Sequence, residues 1–356
     1  MTNPALSDPT LNKTEHRFAP YIRTIGKGKT GRRSLSQSEA HDAMQAILNG
    51  QLEPVQLGAF LMVLRVKEES AEEIAGFVES CRAFIHNQIK TSQLDSSVTP
   101  NLDWSSYAGK KRQPPWYLLS ALLLAQAGYK VFMHGAKGHT PNRLYTEDVL
   151  IELGFTIASD WQRCQQQLDE HNFCYLPIQQ LCRPLHDIIE LRPLLGLRSP
   201  VHTLVRLLNP LGAEASLQSV FHPSYSNTHH QAALLLNEAN AAVFKGEGGE
   251  VEYRPQAELQ VQSIQRQQSQ QYTIARQPTD SSEQLPSASA LLDLWHEEAP
   301  KGDELNGYRV NEYGLQAVIG TTAIALKTMG VEIDIDAAFK LATELWQQRD
   351  SQLTPF

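Results

Sequence analysis

The chain has 356 residues, 41% hydrophobic and 20% charged, enough for a sizeable core and too mixed for a collagen-like, coiled-coil or wholly disordered protein. No apolar run approaches the roughly 18 residues of a membrane helix, and the opening MTNPALSDPT has neither the basic nor the apolar part of a secretory signal. The formal charge of −8, from 31 Lys+Arg against 39 Asp+Glu, taken alone argues against a nucleic-acid binder.

Residues 1–19 mix Pro, Asn, Ser and Thr without periodicity and read as a loose tail. Residues 20–93 read as an all-helical domain. Ser36 with Glu39 is a capping box leading Ala40, Met44, Ile47 and Leu48, with Gly50 at the stop. Pro54 suits a first helical position, and Leu57, Phe60, Leu61 and Leu64 follow on one face. Ser70 with Glu73 is a second capping box, leading Ile74, Phe77, Cys81 and Phe84.

From residue 94 to 356 the pattern becomes alternating. Expected strands are Val98–Trp104, Lys130–His134, Phe173–Leu176, Leu217–Phe221 and Ala241–Phe244, with helices at Trp116–Gln126 and Thr146–Leu153. Residues 256–272, Gln-rich with partial alternation, read as an edge hairpin or surface extension, and 277–286 as a polar loop. Helices at Gly314–Met329 and about Asp336–Arg349 close the chain, the second capped by Asp334 or Asp336. The fold class is therefore α/β: a small all-helical N-terminal domain and a large α/β domain with a mainly parallel sheet. Some helices around 180–210 are expected to pack with the helical domain. Cys81, Cys164, Cys174 and Cys182 lack CxxC or metal-finger spacing and read as reduced core residues of a cytoplasmic protein.

Ligands of such sheets bind beyond the carboxyl ends of the strands, which directs attention to the loops 105–114 and 135–145. SSYAGKKRQPP (105–115) offers Ser106, Tyr107, Lys110, Lys111 and Arg112. With one glycine it would meet phosphate through side chains rather than by wrapping its backbone around it. MHGAKGHTPNR (133–143) adds His134, Lys137, His139 and Arg143. GKGKTGRR (26–33) presents Lys27, Lys29, Arg32 and Arg33 beside flexible glycines, without P-loop spacing. Arg192 and Arg198 are placed to pair with a carboxylate or phosphate. Glu247, Glu250 and Glu252 read as part of a turn and strand, with Glu252 a weak candidate for metal. His229 and His230 are expected on a helix surface. There is no GxSxG nucleophile elbow and no HExxH.

Several of these segments stand in a known order. LSQSEAHDAMQAILNG (35–50), QLGAFLMVLRVKEESAEEIAGF (56–77), HG (134–135), TEDVLIELG (146–154) and RPLLGLRSPVHTLVRLLNPL (192–211) together resemble glycosyltransferase family 3, the anthranilate phosphoribosyltransferase-like proteins, over roughly 20–350. The resemblance implies a site between the two domains and a homodimer formed through the helical domains. It also implies transfer from a magnesium-bound phosphoribosyl diphosphate to anthranilate. It would place Ser106, Tyr107, Gly109, His134, Gly135 and Arg192 on substrate, Arg192 matching the arginine that contacts anthranilate.

The departures fall on the donor. SSYAG replaces the family's GTGGD loop, and Met133 and Ala136 replace the Lys and Asn of KHGN. The metal-binding Asp-Glu pair falls on Val251 and Glu252. These changes resemble a divergent branch with an SYxG-type loop and a GRGK-type N-terminal segment, associated with non-specific nucleic-acid binding. The reading is thus a scaffold that binds DNA or RNA backbone through basic loops, needing no cofactor and no membrane. The alternative is a phosphoribosyltransferase using magnesium. Charge mapping favours the first: residues 104–146 hold no acid and carry +6, residues 21–33 carry +5, and the remainder carries −19.

Overall fold

The computed structural model describes residues 15–91, 99–138, 140–279, 285–297 and 311–356. Most of the expected tail, Val98, His139 and part of the 277–286 loop lie outside them. Both capping boxes form. The Ser36 hydroxyl accepts the Glu39 N–H at 3.2 Å while the Glu39 carboxylate accepts the Ser36 N–H at 2.8 Å. Ser70 and Glu73 repeat the exchange at 3.3 and 2.8 Å. These caps start the helices Gln37–Leu48 and Ala71–Thr91, which pack on each other, while Pro54–Lys67 packs on Ala19–Gly26 and sets Phe60 against Phe77. Residues 26–33 are not an open loop. Helix Ala19–Gly26 runs into a single turn, Gly28–Gly31, hinged by the left-handed φ of +74° at Gly28.

Seven strands form one sheet: β1 (Leu102–Ser106), β2 (Val131–Gly135), β3 (Phe173–Pro177), β4 (Ala215–Val220), β5 (Asn240–Lys245), β6 (Leu259–Gln265) and β7 (Gln268–Ile274). The order is β3-β2-β1-β4-β5-β6-β7. The first five are parallel and every residue of β1 to β4 is buried, as expected for a sheet covered by helices on both faces. β6 and β7 are antiparallel and form the edge hairpin, turning through Arg266 and Gln267 at φ +52° and +64°. Helix Trp161–His171 was not evident in the sequence, because only four of its side chains are buried.

One face of the sheet carries the cluster of Leu102, Trp104, Val131, Leu217 and Phe244 under helices Tyr117–Gln126, Glu312–Thr328 and Ile335–Gln348, the last capped by Asp334. The other face places Tyr107, Phe132 and Leu176 in a second cluster with Phe60, Phe77 and Cys81 of the helical bundle and with Leu185, Ile188 and Leu204. The four cysteines are buried and free. His229 and His230 are also buried, not on a helix surface, and burial pushes His229 down to about 3. Among the described residues no helix is long and apolar enough to cross a membrane.

Candidate functional site

The chain leaves β1 in one direction for β2 and β3, then crosses to the other side of β1 for β4. Such a switch point splays the loops at the carboxyl ends and opens a crevice. A cleft of about 770 Å³ lies there, lined in part by Lys110, Lys111, Arg112, Arg143, Phe221 and Lys245. The loops after β1, β4 and β5 all reach it.

The floor of the site is a set of buried charges. Glu250 turns inward and is fully buried. Its Oε1 accepts the N–H groups of Ala108 at 2.6 Å and Gly109 at 2.5 Å. Its Oε2 accepts from the Ser106 hydroxyl at 2.9 Å. Ser106 is itself 2.6 Å from the Thr146 hydroxyl. Lys110 is 1% exposed and pairs with the buried Glu252, whose other oxygen accepts the Tyr117 N–H at 2.9 Å. Burial pushes Glu252 up to about 7 against the opposing pull of Lys110.

Glycines make this inward turn possible. Gly248 and Gly249 take φ of +67° and +90°, and a Cβ on Gly246 would stand 1.6 Å from the Glu250 carbonyl oxygen. Sequence reasoning named Glu250 only as part of a turn. The surrounding glycines were the available signal for a close backbone approach. Arg206, which sequence reasoning passed over, is buried and donates to the Ser219 hydroxyl at 2.9 Å and the Gly249 carbonyl at 2.8 Å.

Several expected roles change. Lys110 does not offer its charge to a ligand, because Glu252 takes it. Glu252 is correspondingly no open metal ligand, and Val251 beside it has no donor atom, so the residues present do not fit a magnesium site. Tyr107 is 2% exposed and its hydroxyl lies 2.6 Å from His134 Nδ1, so it is not open to the substrate contact the resemblance implies. His134 is fully buried and stacks on Phe132, with its other nitrogen 3.4 Å from Asp103. Gly135 packs its backbone on the Ser106 carbonyl, where a Cβ would stand at 2.1 Å. Ser106 is committed to Glu250 and Thr146. Trp116 is core.

The remaining cations divide. Arg143 spends one nitrogen on the carbonyls of Ala108, Gly109 and Gly248 at 3.0, 2.8 and 3.3 Å. Lys137 pairs with Glu147 at 3.0 Å and Asp148 at 3.5 Å, and Lys130 with Asp169 at 2.6 Å. Arg33 makes a two-pronged bond to Glu39 at 2.6 and 2.7 Å, which holds the Glu39 carboxyl down to about 2. Lys27, Lys29, Arg32 and Lys111 are exposed and have no acidic partner among the described residues; Arg112 is exposed too. Among the described residues the two basic segments line different depressions. Lys111 and Arg112 line the large cleft, whereas Arg32 lines a smaller one of about 340 Å³ beside Lys67 and Glu69. Arg192 and Arg198 converge on the Thr140 hydroxyl at 2.6 and 3.1 Å. Burial and the neighbouring Arg192, Arg143 and Arg206 lower Arg198.

A helical bundle joined to a mainly parallel sheet, with its cleft at the switch point, defines a class of two-part α/β proteins. Two family descriptions match it here: "Glycosyl transferase family, helical bundle domain" over residues 19–85 and "Glycosyl transferase family, a/b domain" over 117–288. The chain belongs to this family, glycosyltransferase family 3, with an anthranilate phosphoribosyltransferase-like fold. It is 31% identical over 293 residues to the uncharacterized protein YbiB of Escherichia coli, covering 81% of this chain and 89% of that one. It is 26% identical over 317 residues to the anthranilate phosphoribosyltransferase of Sulfolobus acidocaldarius, covering 89% and 90%. In fold it is similar to the anthranilate phosphoribosyltransferase of Thermus thermophilus, with a TM-score of 0.73, 22% identity and coverage of 92% and 94%.

Proposed function

We propose that this family member binds nucleic acid without sequence preference rather than transferring a phosphoribosyl group. The observation that carries the reading is the division between donors buried beneath the cleft and cations exposed at the cleft and on the helical bundle. The amides of Ala108 and Gly109, in the segment that replaces the family's diphosphate loop, already hold Glu250. Lys110 already holds Glu252. Meanwhile Lys27, Lys29, Arg32, Lys111 and Arg112 stand exposed. A diphosphate needs inward donors, whereas a polyanion needs outward cations that neutralise backbone phosphates without reading bases. The absence of an accessible aromatic at Tyr107 and Trp116 favours backbone contact over stacking.

Binding of a mixed-sequence oligonucleotide, DNA and RNA in parallel, titrated against salt is the test. Engagement of four of these, Lys27, Lys29, Arg32 and Lys111, predicts a log–log salt slope of about −4 on duplex DNA. Changing Lys111 and Arg112 to Ala should weaken all sequences alike. Absent or salt-independent binding refutes the reading.

The second reading, a phosphoribosyltransferase, draws on Arg192 and Arg198, which meet at Thr140 where the resemblance places the anthranilate contact. It requires phosphoribosyl diphosphate with magnesium to raise the melting temperature, since a ligand of the native state stabilises it. The homodimer belongs to the proposal as well. Val55 and Val66 of helix Pro54–Lys67 are 76% and 75% exposed, and a second copy on the bundle would cover them. Sedimentation of the full chain decides that. The four reduced cysteines suit the cytoplasm we infer.

A further inference from the structure

We infer that the chain contains an oxyanion site beneath its cleft and that Glu250 is the built-in occupant of that site. Three donors from one short segment converge on a single carboxylate: two successive backbone N–H groups, Ala108 and Gly109, on one oxygen and the Ser106 hydroxyl on the other. Successive N–H groups at a turn form a concavity that selects anions. Gly109 supplies the turn at φ +67°, and a Cβ there would come within 3.0 Å of the Tyr145 ring. None of the three donors is needed by the β1 ladder.

The surroundings favour negative charge. Arg206 is buried, makes its bonds to Ser219 and Gly249, and has no carboxylate bonded to it. Of the acidic groups acting on it, Glu250 has the largest effect. The loop that carries the carboxylate is built for delivery: Gly246, Gly248 and Gly249 let it fold back until the Glu250 backbone lies against Gly246. Arg143 then clasps both sides, bonding the carbonyls of Gly109 and Gly248. Lys110 and Gly248, neighbours of the donors and of Glu250 in the chain, line the cleft above.

The chemical class of its ligand follows from the donors. Two amides and a hydroxyl in a site without a bonded countercation take a carboxylate or a phosphate oxygen. In the intact chain the occupant is covalently tethered, so free anions compete against a very high local concentration. Removing the tethered carboxylate should convert a filled site into an open one.

The test is chemical rescue of Glu250→Ala, with inorganic phosphate and formate as probes and chloride at matched ionic strength as reference. Three buried donors lose their acceptor, so the variant should melt about 5 °C below the parent in chloride. Phosphate or formate at about 20 mM should restore at least about half of that loss. The parent and a Leu217→Ala variant, destabilised in the apolar core, should respond to neither probe beyond the general effect of salt. If Glu250→Ala does not fold in chloride, its far-UV spectrum should recover when phosphate is present during refolding. A variant that ignores both anions, folded or not, overturns the inference. The outcome is separable from the nucleic-acid reading. Rescue reports the buried donors, whereas the oligonucleotide titration reports exposed cations of the parent chain, and either can fail alone.

Discussion

Residues 26–33 and 105–112 each gather cations beside glycine with no acid among them, yet they fold into different surroundings. The second segment follows a central strand, so its backbone and Lys110 are drawn into the sheet's carboxyl edge and meet Glu250 and Glu252. Only Lys111 and Arg112 remain exposed there. The first segment lies on the helical bundle, with every residue from Gly26 to Arg33 exposed. Among the described residues its one paired cation is Arg33, and that partner, Glu39, is also on the surface. A cluster of charges in sequence is therefore a binding surface only where the fold leaves its counter-ions elsewhere.

The comparison can be broken most forcefully at Lys110. Lys110→Ala leaves Glu252 buried without its counter-ion and should cost about 3–5 kcal/mol, seen in urea unfolding. The folded fraction should bind oligonucleotide with an unchanged salt slope. An unchanged midpoint with weakened binding would put Lys110 on the ligand instead. The converse variant, Lys27, Lys29 and Arg32 all to Ala, should leave stability within about 0.5 kcal/mol. It should also reduce the salt slope by about 3. Lys111→Ala should reduce that slope by about 1 and leave the unfolding midpoint in place. Arg33→Ala sharpens the contrast within the first segment. The slope should barely move, while the Glu39 carboxyl, followed by NMR titration, rises from about 2 toward 4.5. Because that carboxyl is held low in the fold, the pair supports the native state above pH 4.5, and the support fades as pH falls toward 2.

The architecture was open to sequence reading where local chemistry decides it. Ser36 with Glu39 and Ser70 with Glu73 mark helix starts because the reciprocal bonds span three residues. Strands β2 (VFMHG) and β3 (FCYLP) show as largely apolar runs because both their faces are buried. Helix Trp161–His171 was hidden because a mostly exposed helix rich in Gln has little apolar pattern to show. The basic loops were visible as charge, but the state of that charge was not. Lys110 meets Glu252 from 142 residues away, and the amides of Ala108 and Gly109 meet Glu250 across a similar gap. No local rule joins such positions. His229 and His230 illustrate the same limit: adjacent polar residues on a helix look like surface until packing buries both, His230 against the β6–β7 hairpin, 3.3 Å from the Ser263 carbonyl.

The second apolar cluster carries a mechanical consequence. Phe132 and Leu176 from the sheet share it with Phe60 and Phe77 from the bundle, and Tyr107, the residue after β1, sits in the same cluster. A wide swing of the bundle away from the sheet would bring these large side chains into water. It would also pull on the loop whose amides grip Glu250. The two parts should therefore move as one body through the thermal fluctuations of the native state, unlike domains joined by a thin polar contact. On the proposed reading, an incoming polyanion would meet a charge pattern of fixed spacing, and adjusting to it would fall to the flexible partner.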